Sequence, residues 1–95
     1  MPQSRPIERK LTTILAADAA NYSGRMHKDE EGTVRALRAA RDVIDSAISD
    51  AQGRIANTSG DGLIAEFPSV VGAVRCAIRI QATLNGRDDL LPFRV

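Results

Sequence analysis

The chain reads as an α+β domain of the ferredoxin-like kind, a βααββαβ order with an antiparallel sheet and helices on one face. Three observations predict it. Its 95 residues suffice for one small domain that buries roughly two thirds of the surface of its unfolded chain. Apolar residues make up 43% and charged residues 26%, far from the low-hydrophobicity, high-charge balance of disordered chains. Strand-length apolar runs alternate with helix-period segments in the order strand, helices, strand, strand, helix, strand. That is the split βαβ order, in which the first and third strands occupy the middle of the sheet.

Each element has its own signal. Residues 1–9, with Pro2 and Pro6, read as a flexible lead-in, and residues 10–95 as the domain. LTTILAAD, residues 11–18, is β-branched and apolar over nearly its whole length, which predicts a central strand closed by Asp18. A short helical turn follows between Ala19 and Met26. Asp29 is an N-cap, with Glu30 and Glu31 at the positive end of a long helix. Val34, Leu37, Ile44, Ile48 and Ala51 recur along it at helical spacing, and Gly53 ends it. RIANT (54–58) and LIAEF (63–67) are strands joined by a hairpin, since glycines on both sides of Asp61 permit the positive φ of a tight turn. Ser69 caps a second helix whose apolar positions Val70, Val74, Ala77, Ile78 and Leu84 are read as one stripe, ended by Asn85 and Gly86. LLPFRV (90–95) opens a fourth strand, which is truncated.

Composition removes several function classes. Thirteen Lys and Arg against twelve Asp and Glu leave a formal charge of +1, so no global field draws in a nucleic acid or an acidic membrane. Three aromatic residues, one Tyr and two Phe, are too few to stack unpaired bases. Cys76 is the only cysteine; it excludes an intrachain disulfide and, within an apolar helix, reads as a small buried hydrophobe. With His27 the single histidine, a zinc site is not expected. No apolar run reaches the roughly 20 residues of a membrane span, and the N-terminus lacks a secretory h-region. The expectation is a cytoplasmic chain, or the cytoplasmic portion of a larger protein. Four arginines from Arg35 to Arg54, interspersed with acids, read as a solvated face rather than a phosphate patch.

The predicted topology brings the end of the first strand and the hairpin turn to one end of the sheet, making Asp18 and Asp61 neighbours. Singly, each carboxylate is as well explained by a turn or cap. Paired, they match what a hard divalent cation needs when a nucleoside triphosphate supplies further oxygens. The segment AANYSG, residues 19–24, enters a helix, where free backbone N–H groups can bind phosphate and Asn21 can take the left-handed conformation.

Three segments, ILAADAANYSGRM (14–26), DEEGT (29–33) and GRIANTSGDGLIAEFPSVVGAVRCAIRIQ (53–81), resemble the N-terminal half of the catalytic domain of class III adenylate and guanylate cyclases, particularly their bacterial branch. The resemblance implies that Asp18 and Asp61 hold two ions, Mg²⁺ or Mn²⁺, with the Ala19 carbonyl as a further ligand. It implies that the backbone of Ala20, Asn21, Tyr22 and Ser23 cradles the β- and γ-phosphates. One ion would activate the ribose 3′-hydroxyl and the other steady the pyrophosphate, giving a 3′,5′-cyclic nucleotide.

Two positions depart from the family pattern. Asn21 replaces a glycine common in the phosphate loop. Asn57 stands where adenylate cyclases carry a base-reading lysine and guanylate cyclases a glutamate; as both donor and acceptor it selects neither purine. The family default makes ATP the expected substrate in preference to GTP. In this family the arginine and asparagine that stabilise the transition state lie in the C-terminal half, and sites form between two domains. The chain is therefore expected to act in a homodimer or with another cyclase domain, and to have little activity by itself. Two rival readings accompany this one: a catalytically silent cyclase-like interaction module, and another two-metal phosphoryl-transfer enzyme on the same core, against which the TSGDG turn argues.

Overall fold

The computed structural model describes residues 12–95, so the proposed lead-in lies outside the described residues. Seven elements follow in the expected order: β1 (Thr13–Ala19), α1 (Tyr22–Lys28), α2 (Glu30–Asp50), β2 (Arg54–Ser59), β3 (Gly62–Phe67), α3 (Val70–Asn85) and β4 (Phe93–Arg94). The sheet order is β2-β3-β1-β4 and every pairing is antiparallel. The first and third strands are central, as the element order predicts.

Burial alternates along β1: Leu15, Ala17 and Ala19 are buried, whereas Ile14, Ala16 and Asp18 are exposed. A period of two is the mark of a strand covered on one face. Leu63, Ala65 and Phe67 of β3 share the covered face with β1. Against it pack Ala40, Ile44, Ala47 and Ile48 of α2 and Ala73, Cys76, Ile80 and Leu84 of α3. Small residues on both helices let them approach the sheet and each other closely.

The caps form as their residues dictate. Asp29 accepts from the Gly32 N–H at 3.0 Å and Ser69 from the Gly72 N–H at 3.2 Å, each satisfying one orphan donor of a first turn. The end of α2 differs from expectation. Its left-handed residue is Gln52, at φ 62°, and the Gly53 N–H returns to the Ile48 carbonyl at 2.9 Å. Gly53 is instead required sterically, because a Cβ there would lie 2.6 Å from the Phe67 ring.

The apolar stripe of α3 also needs correction. Val70, Val74 and Ile78 are 65%, 51% and 64% exposed, and the buried row is Ala73, Cys76, Ile80 and Leu84. The helix is apolar on more than one side, so periodicity alone does not select its inner face. Cys76 is buried, as expected, and burial pushes its thiol pKa up despite the opposing influence of Arg79.

Candidate metal and nucleotide site

The site is built at the end of the sheet where β1 stops and the β2–β3 hairpin turns. Pairing of β1 with β3 sets Asp18 opposite Gly62. One step further, the Ala19 N–H donates to the Asp61 carbonyl at 3.3 Å. Opposite residues of antiparallel strands lie about 4.5–5.5 Å apart at Cα, so Asp18, Ala19 and Asp61 come together through backbone pairing. The hairpin is tight because Gly60 takes φ 55°, whereas Asp61 keeps a negative φ. That sign pattern belongs to a II′ turn, whose twist suits the flanking strands.

Asn57 belongs to the same end. A register shift between Ile55 and Asn57 puts Asn57 opposite Ile64, on the helix-free face. There a hollow of about 230 Å³ is lined by Asp18, Asn57, Ser59, Gly62 and Ile64, among others. The bulge is what aims Asn57 outward, since an unbroken alternation from Ile55 would keep both side chains on the covered face.

Of the loop residues, Ala20 is anchored to β4 by its N–H bond to the Pro92 carbonyl at 2.8 Å. Asn21 is left-handed at φ 53°, ψ 39° and stands at the N-cap of α1 without a side-chain cap bond. Its side chain instead folds against Gly24. Tyr22 and Ser23 begin α1, with Tyr22 packed against the core.

Sequence reasoning missed one residue. Arg94 of β4 lies opposite Asp18, and its Nε–H donates to Asp18 Oδ1 at 2.9 Å. The signal was available: the ferredoxin-like order makes β4 the neighbour of β1, so a cation in β4 can face the strand's terminal carboxylate. Arg94 and Asp18, with Ala16, Ala17 and Val95, also line a second hollow of about 340 Å³.

The donor set fits a cation that shares its shell with a ligand. Among the described residues no three His, Cys, Asp or Glu side chains converge as a metal cage. Asp18 lines both hollows and Asp61 follows in the adjoining turn; this pair suits Mg²⁺, which is commonly held by one or two carboxylates plus phosphate oxygens and water. No helix among the described residues is long and apolar enough to cross a membrane.

No family model matches the chain. It is 40% identical over 87 residues to "Putative adenylate cyclase 3" of Rhizobium meliloti (strain 1021), a match covering 90% of this chain and 15% of that protein. The adenylate/guanylate cyclase/hydrolase of Silicibacter pomeroyi is 35% identical with a TM-score of 0.68, over 83% of this chain and 48% of that one. A monomeric adenylate cyclase of Trypanosoma brucei superposes with a TM-score of 0.78 at 19% identity, over 82% of this chain and 33% of that one. A bacterial light-regulated adenylyl cyclase gives 0.74 at 20% identity, over 79% and 23%; these last two show the shared fold. Sequence and fold together make the chain similar to part of the catalytic domain of class III adenylate/guanylate cyclases, and it spans less than half the length of each of these relatives.

Proposed function

We propose that this chain is the metal- and nucleoside-triphosphate-binding part of a class III nucleotidyl cyclase, acting on ATP to form cyclic AMP and pyrophosphate when completed by the rest of a catalytic site. The observation that carries this reading is the β1–β3 register, which joins Asp18 and Asp61 at one end of the sheet. Asp18, Asp61 and the Ala19 carbonyl would hold two Mg²⁺ or Mn²⁺ ions. Such ions supply Lewis-acid activation of the ribose 3′-hydroxyl and charge neutralisation at the leaving pyrophosphate. The backbone N–H groups of Asn21 to Ser23 orient the β- and γ-phosphates, whereas Ala20, whose N–H is held by the Pro92 carbonyl, shapes the loop rather than donating to the ligand. Asn57, facing the hollow beside Asp18, meets the purine edge with a donor and an acceptor. The helix-free sheet face, with Ile14 at 55% and Ile64 at 40% exposure, is apolar enough to pair with a second cyclase domain, in a homodimer or a heterodimer.

Equilibrium binding of a non-cyclisable ATP analogue tests the proposal. Binding should require Mg²⁺ or Mn²⁺, disappear with chelator, and be lost in Asp18→Ala and in Asp61→Ala. Metal-independent binding, or none, contradicts it. In the absence of binding, self-association of the chain through the Ile14 and Ile64 face would favour a silent interaction module.

A further inference from the structure

We infer that the Arg94 guanidinium and a divalent cation compete as positive charges for the Asp18 carboxylate, so that Arg94 sets the threshold at which the site takes up metal. The inference rests on the proposed metal role of Asp18. Its basis is how β4 is held. This strand has only two residues, Phe93 and Arg94, yet it is pinned from both sides. The Ala20 N–H donates to the Pro92 carbonyl at 2.8 Å, and Gln81 Nε2 of α3 donates to the Phe93 carbonyl at 2.7 Å. Phe93 itself is buried. Alternation along the strand then turns Arg94 to the helix-free face directly across from Asp18. The guanidinium takes Oδ1 at 2.9 Å, occupying one of that oxygen's two lone-pair sites and setting a positive charge against an incoming cation.

The competition must be mild for the site to load. Both side chains are more than half exposed, 73% for Arg94 and 53% for Asp18, and exposed pairs are weak. Entry of a cation frees the guanidinium into the hollow lined by Ala16, Ala17, Asp18, Arg94 and Val95. Arg54 provides a charge-matched control. It pairs with Glu66 at 2.6 Å, four residues along β3 from Gly62 and hence roughly 13 Å from the site.

The test is Mn²⁺ affinity without nucleotide, read by electron paramagnetic resonance of the free ion, in the full chain. Arg94→Gln should tighten binding about 3- to 10-fold, and Arg54→Gln should change it less than 2-fold. A second readout follows the Arg94 Nε–H resonance. It should be protected from solvent exchange in the absence of cation, and lose that protection on saturation with diamagnetic Mg²⁺ and in Asp18→Asn. Unchanged or weaker Mn²⁺ binding in Arg94→Gln, or a resonance indifferent to Mg²⁺, overturns the inference. If Asp18→Ala abolishes Mn²⁺ binding while Arg94→Gln leaves it unchanged, the competition fails and the proposed function stands. If Asp18→Ala leaves binding intact, both fail.

Discussion

Replacing Gly53 with alanine separates two reasons for which a chain requires glycine. The new Cβ would sit 2.6 and 2.8 Å from two carbons of the Phe67 ring and 3.0 Å from Ile48 Cγ2. Phe67 is 1% exposed and Ile48 2%, so neither can swing into solvent. Relief requires the ring to retreat about 1 Å into a close-packed core, and overpacking of this kind costs about 1–3 kcal/mol. For a domain of this size, each kcal/mol lowers the melting temperature by roughly 4–8 °C. A cost of about 2 kcal/mol therefore predicts a fall of roughly 8–16 °C, measured by circular dichroism with urea titration as a check. Gly60 offers the contrast. A Cβ at this position would meet nothing within 4 Å, but the residue's φ is +55°, so Gly60→Ala should cost about 1–2 kcal/mol through backbone strain alone. Asparagine at position 53 adds atoms to the same clash and should recover none of the loss there. Adding Phe67→Leu to Gly53→Ala should reveal a coupling of about 0.5–3 kcal/mol. Gly53→Ala within about 0.5 kcal/mol of the parent, or rescue of position 53 by asparagine, would refute the steric account.

Other outcomes follow from the same structure. Asp29→Ala and Ser69→Ala each remove a cap bond and should each cost about 1 kcal/mol in urea denaturation. Cys76, whose pKa burial raises above the ordinary 9.0, should react slowly with a thiol reagent in the folded chain and quickly in urea. Its linkage has a definite sign. The folded state keeps the thiol proton where the unfolded chain has released it, so the contribution is intact below the unfolded pKa. It is lost as pH rises through the folded value, and Cys76→Ala should flatten the decline of stability above about pH 9. Arg79→Ala breaks an exposed pair with Asp50 at 2.8 Å and should cost no more than about 1 kcal/mol, less in high salt.

Local chemistry was legible in the sequence wherever one residue decides the outcome. Asp29 and Ser69 cap because their oxygens reach an orphan N–H, and Gly60 turns the hairpin because it alone there adopts a positive φ. The order of elements likewise predicted the central places of β1 and β3, and with them the meeting of Asp18 and Asp61. Features that depend on relations between elements were harder to read. Val70, Val74 and Ile78 are as apolar as the residues that α3 buries; the choice of Ala73, Cys76 and Ile80 depends on what α2 and the sheet present. Gln52, rather than a glycine, takes the left-handed position, and Gly53 leaves the space that Phe67 fills. Arg94 acquires its partner only through the β1–β4 register, a pairing between strands distant in sequence. Asn57 faces the hollow only because of the β2 bulge.

The central claim, that Asp18 and Asp61 form a metal site shared with a triphosphate, is tested most directly by counting bound ions. Mn²⁺ should be titrated into the chain with a saturating non-cyclisable ATP analogue, and free ion read by electron paramagnetic resonance against an analogue-only blank. Two Mn²⁺ per chain are expected, with the count falling in Asp18→Ala and in Asp61→Ala. A count equal to the blank, or one unchanged by both substitutions, contradicts the claim.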